Sequence, residues 1–374
     1  MAKLTQLLML TALLCSTAYT SVEDVHAEDR FTVQEIASDF NFPWSLAFLP
    51  DGDFLISEKS GNLVRLTADG KSRTIIENTP EVLFAGQGGL QDIVLDKDYK
   101  ANQQVYLSYA SGDDTGNYLK VLSARLVNDR LDNVSVIFTS NPAKSTTHHY
   151  GARMAQLADG TLLITSGDGF KYRDAAQYLD THFGKVLRIH SNGDIPNDNP
   201  FIDSESALPE IYSYGHRNPQ AILVSQSGQI WSNEHGPKGG DELNLIKPGK
   251  NYGWPAVTFG ADYTGALISP YSSAPNIEDP VAYWTPSIAS GGMALNEGTM
   301  YPNWQGNIFL ANLAERSMRR LVMENNQVTE QEILLKDRNE RIRDVRVSPD
   351  GYIYLLTDSA EGKLLRLNPT ENER

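Results

Sequence analysis

The sequence predicts an all-β fold, and three observations carry that reading. One hairpin pattern recurs six times, long amphipathic helical patterns are nearly absent, and 29 glycines and 18 prolines interrupt the chain every few positions. The repeats read Leu49-Pro50-Asp51-Gly52 before Phe54-Leu55-Ile56, Asp96-Lys97-Asp98 before Val105-Tyr106-Leu107, and Leu157-Ala158-Asp159-Gly160 before Leu162-Leu163-Ile164. The other three are Ser227-Gly228 before Ile230-Trp231, Asn303 to Gly306 before Ile308-Phe309-Leu310, and Ser348-Pro349-Asp350-Gly351 before Ile353-Tyr354-Leu355. Asp-Gly tolerates the positive φ that tight hairpins need, and the β-branched and aromatic flanks suit a half-buried pleated surface. Six such units make a six-bladed β-propeller, whose minimal blade takes roughly 40 to 45 residues. The surplus length falls in long inter-strand loops, chiefly 170–215 and 232–300, expected to form the site at one end of a central channel.

Residues 1–27 read as an export signal, with Lys3 as the positive start and an apolar core from Leu7 to Leu14. Cleavage after Ala18 or after Ala27 both satisfy the small-residue rule. The only cysteine, Cys15, lies in this segment, so the mature chain has no disulfide. Residues 28–374 form one domain, because no low-complexity linker or composition shift divides them. Export predicts a periplasmic or secreted protein, without a membrane span. The net charge of −15 argues against nucleic acid and anionic membrane as partners, since both need a basic surface.

Three clusters concentrate chemistry. The first is Glu234-His235-Gly236-Pro237-Lys238-Gly239-Gly240-Asp241-Glu242-Leu243-Asn244, followed by Asn251-Tyr252-Gly253-Trp254-Pro255. Glycine and proline leave carbonyls outside a strand ladder, and carboxylates add oxygens of the kind calcium prefers; a solvated turn with incidental acids is the alternative. The second is Thr147-His148-His149-Tyr150-Gly151-Ala152-Arg153. In an extended segment the two histidines point to opposite faces, so one enters a channel, and Asp168, one strand pair further on, is placed to orient it. Two structural histidines are the alternative. The third is cationic: Arg217, and the pair Arg341 and Arg343 at period two on one strand face. Two adjacent guanidiniums call for an anion, either a multi-carboxylate ligand or neighbouring acids such as Asp344.

In order and wording these clusters resemble the soluble pyrroloquinoline quinone (PQQ)-dependent glucose and aldose sugar dehydrogenases, a six-bladed propeller family. The resemblance begins at Phe42-Pro43-Trp44-Ser45-Leu46-Ala47-Phe48, passes through Gly86-Gln87-Gly88-Gly89-Leu90 and ends at Arg341-Ile342-Arg343-Asp344-Val345. It implies oxidation of an aldose at carbon 1, with PQQ and Ca2+ as cofactors and an external electron acceptor, in a monomer or homodimer. His149, in the family's His-x-x-x-Arg motif, is then the general base, oriented by Asp168, with Arg217 stabilising charge on the quinone. Gln87, Arg217, Asn218, Arg341 and Arg343 hold the cofactor and Tyr263 packs on its ring. The carbonyls of Gly236 and Pro237 bind a catalytic calcium, and Glu242 with the carbonyl of Tyr252 a structural one.

Two positions depart from the pattern: Ala314 stands where some members carry a cofactor-binding lysine, and His148 where some carry Asp or Asn. Two rivals remain open on sequence alone. A calcium-dependent propeller lactonase has no use for Arg341 and Arg343, and a non-catalytic periplasmic binding propeller tolerates loss of His149, Gln87 and Arg217, all present here.

Overall fold

The computed structural model describes residues 30–371; the expected export segment lies outside them. Six four-stranded antiparallel sheets are arranged as blades. Their first strands (Pro43–Phe48, Leu90–Leu95, Met154–Gln156, Pro219–Val224, Ser290–Leu295 and Ile342–Val347) adjoin one another in a closed ring around the channel. The six hairpins read from the sequence join the first and second strand of each blade. Gly52, Gly160 and Gly351 stand there at φ of 93°, 88° and 90°, where a side chain would be strained.

Second strands are buried on both faces because neighbouring blades cover them. Phe54–Glu58, Leu162–Ser166 and Ile353–Thr357 have every residue buried. Their leucines and isoleucines each contribute about 1.5–3 kcal/mol of burial. Outer strands alternate or face water, as in Arg130–Thr139. The ring closes between the chain ends: Phe31–Phe40 pairs with Gly362–Pro369 as the outer strand of the last blade, with Phe31 opposite Pro369.

The segments 170–215 and 232–300 are not simply loops. They carry Lys185–Ile189, Ile211–Tyr214, Asp241–Ile246 and Ala282–Trp284, which complete two blades. Lys185–Ile189 lacks period-two alternation because both faces are buried, which hides it from pattern reading.

A charged network fills the channel wall. Arg153, 2% exposed, meets Asp92 at 3.3 Å and Asp344 at 3.1 Å, and its guanidinium lies 3.9 Å from the Trp44 ring centroid. Arg346 bridges the same carboxylates at 3.1 and 2.9 Å. Both acids also accept backbone N–H donors, from Met154 and Leu46. Paired and hydrogen-bonded charges of this kind are costly to break singly. Asp344 therefore belongs to this network, and the arginine of the His-x-x-x-Arg motif is a structural tie between blades.

Candidate active site

First strands start and second strands end at the same end of an antiparallel blade. Gln87, His149 and Arg217 precede first strands; Asp168, His235 and Asp358 follow second strands. All six therefore gather at one mouth of the channel, opposite the six hairpin turns.

His149 does not lie in an extended strand. Its φ is 51°, and both it and His148 pack near Phe170, at 5.1 and 5.7 Å between ring centroids. The expectation of opposite faces fails because the turn replaces the pleat. The His149 backbone N–H donates to Gln87 Oε1 at 2.8 Å, which fixes the turn against the neighbouring blade. The ring is buried, and its Nδ1 lies 2.7 Å from Asp168 Oδ1.

Asp168 is 1% exposed and fully used: Oδ1 also accepts from the Phe170 N–H at 2.7 Å, and Oδ2 from Trp254 Nε1 at 2.8 Å. Burial alone pushes this carboxyl up, but the hydrogen bond and charge of His149, with Arg217, outweigh it and the net shift is down. An ionised Asp168 takes the Nδ1 proton as its hydrogen-bond donor and leaves Nε2 as the proton acceptor. Burial lowers the His149 pKa below its ordinary value, with Asp168 opposing and Arg217 and Lys144 assisting, so the ring is neutral near pH 7.

Arg217 lies across the mouth, 4% exposed. Its guanidinium donates to the carbonyls of His235 at 3.0 Å and Gly236 at 2.6 Å and to the Tyr263 hydroxyl at 3.2 Å. Its backbone N–H is held by Glu234 Oε2 at 2.5 Å. Tyr263 itself is exposed on the rim.

Asn218 Oδ1 accepts from the Gly151 N–H and from Gln220 Nε2, both at 3.2 Å, and Gln220 Oε1 accepts from Arg343 at 3.4 Å. A chain of amides thus connects the third, fourth and sixth blades. Asn218 Nδ2 and Arg343 Nε are buried without a partner among the described residues. Arg341 donates twice to Asp358 Oδ2, at 3.0 and 2.9 Å, with Arg343 at 3.5 Å. The anion between the arginines is thus Asp358, not Asp344.

Two cavities open here. One of ≈ 370 Å³ is lined by Lys59, Gln87, Tyr150, Arg341, Arg343 and Asp358 among others. One of ≈ 680 Å³ is lined by Gly236, Pro237, Tyr263, Thr285 and Ser287, and His235 and Ala289 border both. Burial pushes the His235 pKa down to about 3, so this ring is neutral, with Nε2 donating to Ser290 O at 2.7 Å.

The two expected cation sets differ. Gly236 has no room for a Cβ, which would lie 2.3 Å from Gly239 O, so its carbonyl is rigidly presented; Arg217 already occupies one of its two lone pairs. Glu242 packs against Glu234, and burial with that neighbouring charge raises its pKa well above the usual carboxylate value. Asn244 Nδ2 donates to both acids, at 3.2 Å (Glu234) and 3.1 Å (Glu242), while its Oδ1 is buried without a partner. Two carboxylates and an unpartnered amide oxygen suit a hard divalent cation. The Tyr252 ring stacks 4.7 Å from that of His216, whose Nδ1 lies 2.9 Å from Glu234 Oε1. Among the described residues no three His, Cys, Asp or Glu side chains form a metal cluster, so any ion here draws on carbonyl and amide oxygens.

Several residues escaped the sequence reading. Trp254 and Glu234 stood in the segments already singled out, but only the fold brings them to Asp168 and Arg217. Phe170, exposed and at φ 68°, had as its signal the turn Ser166-Gly167-Asp168-Gly169 before it. Lys144 had none: its Nζ donates to His148 O, it lies 3.2 Å from the Tyr150 ring centroid, and burial pushes its pKa down to about 6.

Six blades thus set a buried His–Asp pair beside a cation-lined cavity at one mouth of the channel. The chain belongs to the glucose/sorbosone dehydrogenase family, whose model matches residues 40–366. It is 38% identical to aldose sugar dehydrogenase YliI of Escherichia coli over 344 residues, which cover 90% of this chain and 92% of that protein. The crystal structure of the soluble E. coli aldose sugar dehydrogenase in its apo-form superposes with a TM-score of 0.88 at 38% identity, covering 91% of this chain and 100% of that one. The PQQ-bound aldose sugar dehydrogenase of Streptomyces coelicolor gives 0.75 at 27% identity, covering 91% and 99%.

Proposed function

We propose that this protein oxidises aldose sugars at carbon 1 to the lactone, using PQQ and calcium, and passes the electrons to an external acceptor. The observation that carries it is the His149–Asp168 pair at 2.7 Å beside a cavity lined by Arg341 and Arg343. PQQ, when bound, supplies the quinone that accepts hydride from carbon 1.

The remaining work falls to side chains of this chain. Neutral His149 takes the proton of the anomeric hydroxyl at Nε2, and the resulting imidazolium is held at Nδ1 by Asp168. Trp254 and the Phe170 N–H keep the carboxylate from turning away. Arg217 supplies positive charge beside the mouth, fixed in place by Glu234 and three acceptors and therefore needing no rearrangement. Gln87, Asn218, Arg341 and Arg343 would hold the cofactor, and the unpartnered Asn218 Nδ2 and Arg343 Nε fit a polar anionic ligand. Tyr263 would border its ring. Calcium would sit on the Gly236 and Pro237 carbonyls as a Lewis acid, and a second ion on Glu242 and the Tyr252 carbonyl as a structural tie. An exported enzyme with this reaction works in the periplasm or outside the cell.

The arginines and the family favour this reading over a calcium lactonase. The test is reconstitution of purified apo-protein with PQQ and calcium, followed by dye reduction with a panel of aldoses and with lactones. Aldose-dependent dye reduction is expected; lactone hydrolysis without it would reassign the protein.

A further inference from the structure

The smaller cavity carries a cation that the proposed cofactor set leaves out. Its lining holds Lys59, Arg341 and Arg343 against one carboxylate, Asp358, in a protein of net charge −15. Asp358 is already engaged twice by Arg341 and approached by Arg343. Little of its charge is left for Lys59.

Lys59 follows the strand Phe54–Glu58, and its backbone is pinned on both sides. Its N–H donates to Phe42 O at 3.1 Å, and its carbonyl accepts from the Leu90 N–H at 3.2 Å. A Cβ on Gly89, at φ 135°, would lie 2.2 Å from the Lys59 carbonyl, so only glycine permits this approach. The side chain has no acid partner among the described residues. Its Nζ donates to Gly86 O at 3.0 Å, beside Gln87, and lies 5.8 Å from the ring centroids of both Phe42 and Phe84. Burial and the guanidiniums of Arg343 and Arg341 hold its pKa below the ordinary value, Asp358 alone opposing. An ammonium placed among guanidiniums without an acid of its own is repelled unless an anion joins them.

We infer that Lys59 is a third cationic anchor for the carboxylates of the ligand in this cavity, set on the first blade beside Arg341 and Arg343. The inference rests on the reading of that ligand as PQQ. It also accounts for Ala314. Position 314 borders the arginine-bearing sixth blade from the fifth, next to the cavity-lining Leu313, whereas Lys59 borders it from the first. The charge lost on one flank is supplied from the other.

The test is equilibrium dialysis of PQQ against purified apo-protein in calcium buffer, which needs no turnover. K59Q is expected to weaken binding about tenfold or more, as loss of a charge-assisted contact does, while K59R binds close to wild type. K71Q, which removes an exposed lysine paired with Asp69 elsewhere on the surface, is expected to bind as wild type. Equal affinity of K59Q and wild type, with both folded by circular dichroism, would overturn the assignment of Lys59 alone. Equal weakening in K71Q would overturn it too, by showing an effect of net charge. Failure of wild type to bind PQQ would remove the functional reading and this inference together.

Discussion

His149 Nδ1 and Asp168 Oδ1 meet at 2.7 Å, and neither residue lies in a strand. The contact joins two loops of one blade, and Trp254, from a loop of the next, holds it from behind. Removing the carboxylate's charge with D168N takes away both the tautomer and the support for an imidazolium. Turnover is expected to fall roughly 10²- to 10⁴-fold while the dialysis affinity for PQQ stays within error. A loss of PQQ binding matching the loss of turnover would assign Asp168 to cofactor binding.

Burial lowers the His149 pKa, so the ring proposed as the base is still mostly neutral at pH 6.5, the ordinary histidine value. The acid limb of kcat/KM is expected to have its midpoint below that value. A midpoint above 6.5 would mean that Asp168 outweighs burial.

The same sign governs stability. His235 has a folded pKa of about 3 against an ordinary 6.5. Between those values the unfolded chain holds a proton that the folded one lacks, so stability falls as pH drops from about 6.5 towards 3. Denaturant midpoints at pH 7 and pH 4 should differ less in H235N than in wild type. An unchanged difference would place the acid sensitivity elsewhere.

Arg153 ties Asp92 to Asp344 inside the channel wall. R153M leaves two buried carboxylates with only Arg346 between them, and a loss of about 3–5 kcal/mol is expected in denaturant unfolding. A loss under about 1 kcal/mol would show that Arg346 suffices to hold both acids.

The architecture was legible because hairpin chemistry is local: each Asp-Gly or Ser-Gly turn announces itself within four residues. The inner end of the blades was less so. Lys185–Ile189 hides because all five of its residues, Lys185 and Arg188 included, are buried, which polar side chains in the sequence do not announce, and the His148–His149 turn depends on a hydrogen bond to Gln87, 62 residues away. Arg341 and Arg343 signalled an anion, but which acid lies between them depends on how strands pair, and Asp358 is 15 residues past Arg343. Lys59 was invisible because nothing around it in sequence is unusual; its meaning comes from the closing of the ring beside the sixth blade.

In the proposed reaction His149 deprotonates an aldose whose carbon 1 gives up hydride. Single-turnover reduction of PQQ-loaded protein with an aldose deuterated at carbon 1 tests it most directly. A primary isotope effect is expected in wild type, with reduction slowed by roughly 10² or more in H149A loaded with the same amount of PQQ. Reduction by H149A at the wild-type rate, or no reduction by PQQ-loaded wild type with any aldose, would contradict it.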